Sequence, residues 1–258
     1  MFARNALIAS ACLALLSSAA HATLQGRDLN GSPGSFEAYY DTVLNVTWLS
    51  DANLAASNTF GVSGINADGT MTWATAQDWI AAMNAANYLG YSDWRLPSVS
   101  PVDGSGFQYF SSSDYWTGTR DESYSISAPG SAHPGSTASE MAYMYYVNLG
   151  NKGFSDTSGA NPQPGWGLAN TGPFSNLQPN LYWSGTDIPS KPNLAWDFVM
   201  SHGYQGAYFM TTNGNAWAVR SGDVTAAAAV PEPEAWGLML SGLALVAAAA
   251  RWRKIRPT

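Results

Sequence analysis

The nine residues Gly90-Tyr91-Ser92-Asp93-Trp94-Arg95-Leu96-Pro97-Ser98 decide how the chain runs on either side of them. Pro97 forbids α geometry at Leu96, so the segment enters extended structure. Gly90 can take the left-handed conformation that ends a helix, and the residues before it have helical spacing. Thr72 is a capping residue, and Trp73, Ala76, Ile80 and Met83 follow one face. This predicts one main helix over about 73–89, with Trp73, Ile80 and Met83 turned to the core. Arg95 lies between Trp94 and Leu96. It reads either as a ligand clamp or as a guanidinium satisfied inside the fold by Asp93 or backbone carbonyls. The second reading is preferred, because an arginine among apolar residues needs fixed internal partners.

Outward from this segment the pattern is extended. Phe36 to Leu49 reads as a strand or hairpin after a polar, glycine-rich lead-in from Thr23 to about Ser35. On the other side, Tyr115-Trp116-Thr117-Gly118-Thr119 returns as Tyr182-Trp183-Ser184-Gly185-Thr186. Ala142-Tyr143, Val147, Gly150 and Gly153 return as Ala195-Trp196, Met200, Gly203 and Gly206. Each copy is expected to be a strand with Trp inward, then a turn and a second strand. Loops rich in Pro, Gly and Ser fill 127–139 and 155–178, and Ala207 to Arg220, with its Asn213-Gly214 turn, reads as a closing hairpin. The expected class is α+β, mostly antiparallel strands with one main helix and long loops, in a single domain over 23–224.

Composition agrees with that outline. Of 258 residues, 46% are hydrophobic and 13% aromatic but only 11% charged, which excludes a disordered chain and fits a helical bundle poorly. Between Thr23 and Val230 there are sixteen Asp or Glu against six Lys or Arg, a net charge of −10. So acidic a body does not suit nucleic acid, whose phosphates need a basic surface.

The two ends read as addresses. Met1 to Ala22 has Arg4, an apolar run and a small-residue ending, the layout of a signal peptide cut by signal peptidase between Ala22 and Thr23. The only cysteine, Cys12, lies inside it, so the mature chain is expected to carry no disulfide, thiolate nucleophile or Cys-ligated zinc. After the linker 225–230 come Pro231-Glu232-Pro233, an apolar run to Ala250 and a basic tail. Ala235 to Ala250 would make about 24 Å of helix against a hydrocarbon core of about 30 Å, a marginal span with its basic cluster on the cytoplasmic side. This order resembles the PEP-CTERM sorting signal of Gram-negative bacteria, and an ordinary tail anchor is the alternative. The resemblance implies transient membrane anchoring over 231–258, recognition of Pro231, Glu232 and Pro233 by an exosortase, and delivery to the cell surface or extracellular matrix. It also implies a context of exopolysaccharide and biofilm formation.

Catalytic sets are hard to assemble. With His21 in the signal peptide, His133 and His202 cannot form a three-His metal site, and no Gly-x-Ser-x-Gly elbow exists. Paired carboxylates are the remaining route, as in a glycosidase, with Asp114, Asp121, Glu122, Asp187 and Asp197 as candidates; turn-forming Asp is the plainer reading. Asn66 to Thr70 resembles half a calcium loop but lacks its closing glutamate, so a plain turn is expected. Calcium held by Asp121, Glu122 or Asp187 is left open, and no other cofactor is expected. For stacking on sugar rings, Trp166 in its uncharged loop is the first candidate, then Tyr124 and Tyr204. Trp48, Trp73, Trp94, Trp116 and Trp183 are expected in the core.

Together, Asp41 to Leu49, the helix from Thr72-Trp73, Asp93-Trp94-Arg95-Leu96-Pro97, the paired Tyr-Trp motifs and Ala216-Trp217-Ala218-Val219-Arg220 resemble the Lcl C-terminal domain family over most of Phe36 to Ser221. That resemblance implies a secreted, C-type-lectin-like module that adheres to polysaccharide. The negative body favours a neutral polymer over a sulfated one. The alternatives are a structural envelope protein without a specific ligand, and a carbohydrate-active enzyme using Asp121 or Glu122 with Asp187.

Overall fold

The computed structural model describes residues 24–32 and 34–224. The Ala22–Thr23 cleavage point, the linker 225–230 and the Pro231-Glu232-Pro233 signal with its apolar run lie outside the described residues. The architecture is mostly antiparallel strands in two four-stranded sheets, with few helices. The first sheet has the order β1 (Leu24–Arg27), β2 (Ala38–Asp41), β3 (Val46–Leu49), β8 (Val219–Ser221). The second has the order β4 (Ser123–Tyr124), β7 (Tyr204–Phe209), β6 (Leu194–Val199), β5 (Leu181–Asp187). No helix among the described residues is long and apolar enough to cross a membrane.

The expected hairpin over Phe36 to Leu49 forms as β2 and β3, with Ala38 opposite Leu49 and Asp41 opposite Val46. Asp41 closes its turn by accepting from the Val43 and Leu44 amides at 2.9 and 3.0 Å. Part of the expected lead-in is instead β1, whose backbone completes the edge of β2.

The main helix, α1, spans Trp73–Ala85, shorter than expected. Thr72 caps it, its side chain accepting from the Thr75 amide. Its end is set by Asn84, whose Oδ1 accepts from the Trp94 amide and whose Nδ2 donates to the Trp94 carbonyl, both at 2.8 Å. Asn87 then takes the left-handed conformation three residues before Gly90 does. The buried face is Ala76, Trp79, Ile80 and Met83. Trp73 is only partly buried and donates from its indole to the Ser184 carbonyl.

The repeat in the sequence is not a repeat in structure. Tyr182 to Thr186 lies in β5, but Tyr115 to Thr119 is a series of turns, with Thr117 bonding Asp114 O through both its amide and its hydroxyl. There, side-chain bonds to nearby backbone prevail over strand pairing. Likewise Ala195 to Gly206 forms the β6–β7 hairpin, but Ala142 lies in the short helix α2 (Glu140–Tyr143), which continues as a π-helical turn over Met144–Asn148. Ser139 caps α2 by accepting from the Ala142 amide, and Glu140 occupies its first turn, where negative charge is favoured. The closing hairpin expected over 207–220 is also absent. Asn213-Gly214 turns the chain from β7 in one sheet to β8 in the other, and Asn215 to Val219 are all buried between them.

One core cluster joins the sheets, with Trp48 and Trp217 from the first side and Tyr182, Trp183 and Phe198 from the second. Trp48 and Trp217 meet at 4.6 Å between ring centroids. Several indole N–H groups reach carbonyls: Trp217 to Leu49, Trp183 to Met71 and Trp79 to Asn58, at 2.8 to 2.9 Å. Such pairing offsets the cost of burying these donors, whereas the buried indole N–H groups of Trp48 and Trp196 meet no acceptor.

The Asp93 to Ser98 segment is the stitch between these parts. Arg95 pairs antiparallel with Val219 of β8, with bonds of 2.7 and 2.8 Å. The Pro97 carbonyl accepts from the Gly185 amide and the Ser184 hydroxyl of β5. Arg95 is satisfied internally, as expected, in part by a backbone carbonyl, that of Leu96 at 3.1 Å, but its carboxylate partner is Glu140 of α2 in a two-pronged pair at 2.7 Å each, not Asp93. Asp93 instead grips Arg220 at 2.8 Å on both oxygens, and that guanidinium lies over the Tyr91 ring. In the Asp-Trp-Arg-Leu-Pro motif Trp94 and Leu96 are buried, and both charges are paired within the chain, Arg95 with Glu140 and the exposed Asp93 with Arg220.

Candidate functional site

The second sheet and the loops beside β4 assemble a band of aromatic rings. Tyr124 on β4 is in register with Tyr204 on β7, and their ring centroids are 4.7 Å apart. Tyr124 also meets Tyr115 at 5.9 Å and Phe154 at 6.4 Å. Tyr115 extends the band to Phe110 at 5.3 Å and Trp116 at 5.0 Å. In the other direction Phe154 meets Trp166 at 4.9 Å, and both rings contact His202 in the β6–β7 turn. Trp166 is 39% exposed and Phe110 51%, so the band begins and ends in solvent, with Tyr115, Trp116, Tyr124, Phe154 and Tyr204 half-buried between them.

All three residues expected to stack on sugars, Trp166, Tyr124 and Tyr204, thus lie on one continuous surface. Sequence reading missed Phe154, Phe110 and Tyr115, and placed Trp116 in the core although it is only half-buried. The signal for Phe154 was present: like Trp166, it is a lone large ring among small polar residues.

Local geometry holds the band in place. Tyr146 in the π-helical turn is buried; its hydroxyl accepts from the Ser125 amide at 3.0 Å and donates to the Gly203 carbonyl at 2.6 Å. Gly203 is needed there. Its φ is +69°, and a Cβ would stand 2.6 Å from that hydroxyl. The Phe154 amide donates to the His202 carbonyl at 2.7 Å, which ties the Trp166 loop to the same turn.

The acidic candidates have separate roles. Asp121 is buried and accepts from the Val102 and Gln108 amides at 2.7 Å each, so it pins the loop between them; burial raises its pKa against the opposing pull of those bonds. Glu122 is half-buried, accepts from the Phe110 amide at 3.0 Å, and its charge adds to the burial that raises the Tyr204 hydroxyl. Asp114 pairs with Arg120 at 2.7 Å. Asp197, at the centre of β6, is buried with neither carboxylate oxygen bonded, and burial followed by the Glu122 charge pushes its pKa well above the ordinary carboxylate value.

Asp187 does not join the others. It is exposed on β5, at the opposite edge of the sheet from β4, three strand spacings or about 14 Å of backbone away. The strand order thus sets Asp187 at the far edge of the sheet from Asp121 and Glu122, which immediately precede β4, whereas glycosidase carboxylates lie about 5–9.5 Å apart. Nor do these three fit calcium: both Asp121 oxygens are taken by amides and Asp187 is remote. Among the described residues no group of three or more His, Cys, Asp or Glu is placed to hold a metal. Asn66 to Thr70 is a turn closed on itself, Asp68 accepting from the Thr70 amide and hydroxyl.

Comparison with known proteins gives two matches on this chain. The model of the Lcl C-terminal domain matches residues 37–220, which include both sheets apart from β1 and the end of β8. The PEP-CTERM protein-sorting motif matches residues 229–254, including Pro231-Glu232-Pro233. That motif implies export along a Gram-negative-type envelope pathway with a C-terminal membrane anchor, and processing by an exosortase. No curated protein and no solved structure matches the chain.

Proposed function

Because the chain belongs to the Lcl C-terminal domain family, we propose that it is an exported, noncatalytic, C-type-lectin-like adhesion module whose aromatic band binds extracellular polysaccharide at the cell surface or in the matrix. The observation that carries this reading is the unbroken row of rings from Phe110 through Tyr115, Tyr124 and Phe154 to Trp166. Sugar rings have apolar faces edged by hydroxyls. A row of exposed and half-exposed aromatic rings offers stacking area for successive faces at small entropic cost. The net charge of −10 between Thr23 and Val230 selects a mostly neutral polymer, because a polyanion would be repelled on approach. The wide separation of Asp187 from Glu122 favours binding over hydrolysis.

The test is a thermal-shift and calorimetric titration of residues 23–230 with neutral gluco-, xylo- and manno-oligosaccharides. A ligand that binds only the folded state raises its apparent stability by mass action. We expect saturable binding to at least one class, weakened about tenfold or more by Trp166→Ala with the fold intact. Absence of binding to every glycan would leave a structural envelope protein. Reducing ends appearing with time, and lost in Asp187→Asn, would establish the enzyme reading instead.

A further inference from the structure

Next to the Phe154–Trp166 end of the band lies a cavity of about 280 Å³, lined by Ser125, Tyr146, Lys152, Asp156, Thr157 and Gln163 among others. We propose that this cavity is a subsite for a sugar carrying a single carboxylate, a uronic acid residue, held by Lys152. The inference rests on the polysaccharide reading above and narrows its ligand class.

Lys152 has an unusual standing in this protein. Arg27, Arg95, Arg120 and Arg220 are each paired with a carboxylate, and Lys191 lies 3.8 Å over the Tyr109 ring. Among the described residues Lys152 is the one Lys or Arg side chain with neither kind of partner. It is exposed, and it stands on the wall of a cavity in an otherwise acidic body. An unpaired ammonium there matches one negative charge. The surrounding net charge opposes a run of them.

The other walls supply hydrogen bonding suited to a sugar. The Thr157 hydroxyl and the Gln163 amide oxygen face the cavity as hydrogen-bonding groups, while the Ser125 side chain is bonded to the Tyr146 hydroxyl and the Gln163 amide nitrogen is anchored on the Gly153 and Ser155 carbonyls at 2.7 and 3.1 Å. Asp156 is also in the wall. Its Oδ1 already accepts from the Ser158 amide and hydroxyl and the Ala160 amide, and the Ser158 hydroxyl leads the bonds that hold its pKa below the ordinary value. That fixed negative charge steers the ligand carboxylate to the Lys152 side of the cavity.

Backbone strain marks the same place. Ser125 has φ +61°, a left-handed conformation that a residue with a side chain adopts at a cost; it is held by the Tyr146 hydroxyl and by the Ala128 amide on its carbonyl. Continuity with the band completes the argument, since the Gln163 carbonyl accepts from the Trp166 amide.

The experiment compares a cello-oligosaccharide with the same chain oxidised to a terminal glucuronate, by calorimetry on wild type, Lys152→Gln and Lys152→Arg. We expect the acid-capped probe to bind wild type about tenfold more tightly than the neutral one, the scale of one charge-assisted hydrogen bond. Lys152→Gln should erase that preference without weakening the neutral probe, and Lys152→Arg should keep it. Equal binding of the two probes to wild type, or a preference that survives in Lys152→Gln, overturns the inference and leaves the polysaccharide reading standing. Failure of both probes to bind overturns it together with that reading for this glycan backbone.

Discussion

Asp197 shows most sharply what a single residue does in this fold. Both its oxygens are buried without a donor, and Gly206 across the strand pair leaves it room, since a Cβ there would stand 3.0 Å from Oδ1. An ionised carboxylate in such a place costs far more than a neutral one, so the fold holds the Asp197 proton more tightly than the unfolded chain does. Its folded pKa is raised above the unfolded value. Its contribution to stability is therefore fully present below about pH 4, and is lost progressively as pH rises toward the folded pKa. Asp197→Asn removes that titration. The stability gained by the variant over wild type should grow with pH above about 4, by up to about 1.4 kcal/mol per pH unit, in denaturant melts from pH 4 to 8. A constant difference across that range would contradict this account. Indoles make a second residue-scale case. The Trp217 N–H reaches Leu49 O, whereas the buried Trp48 N–H meets no acceptor. Trp217→Phe should therefore cost about 1 kcal/mol more than Trp48→Phe in parallel urea unfolding, for the same loss of volume.

At the scale of elements, the Asp93 to Ser98 segment binds β8, β5 and α2 together, with the Arg95–Glu140 pair at its centre. Glu140 also accepts from the Ser98 amide at 2.7 Å, so its carboxylate ends three bonds in one place. Removing Arg95 leaves a nearly buried carboxylate short of a partner. Arg95 itself is about a third exposed, which moderates the loss, so Arg95→Ala should destabilise by about 2–3 kcal/mol. Arg95→Lys should recover only part, because an ammonium lacks the fork that meets both oxygens. Unchanged unfolding midpoints in either variant would show the pair to be idle.

Elements also separate what the sequence could tell from what it could not. Pro97 and the apolar spacing in α1 act locally, so the turn into extended structure, the helix and the β2–β3 hairpin were legible. Glu140 lies 45 residues from Arg95, and no local pattern announces such a partner. The Tyr-Trp copies misled for the same reason. Pairing with β6 made Tyr182 to Thr186 a strand, while turn bonds from Thr117 to Asp114 made its counterpart irregular. Of the site, Trp166, Tyr124 and Tyr204 were legible as aromatic residues in or beside loops. That Phe154 connects them is a fact of tertiary structure.

For the whole molecule, an acidic body with almost every cation spent internally is joined to a PEP-CTERM motif that implies exosortase processing. Replacing Pro231, Glu232 and Pro233 by alanine should leave the chain uncut, with the body in the membrane fraction and its mass retaining the tail; release at normal mass would contradict that role. On the proposed function, the aromatic band is the surface that meets polysaccharide. Its most direct test is to follow the indole N–H resonances of the folded body while a neutral oligosaccharide that stabilises it is added. Shifts are expected at Trp166, at one end of the band, and at Trp116, beside Tyr115, while Trp48, Trp183 and Trp217 in the core stay fixed. Saturable binding that leaves Trp166 and Trp116 unmoved would place the ligand elsewhere and contradict it.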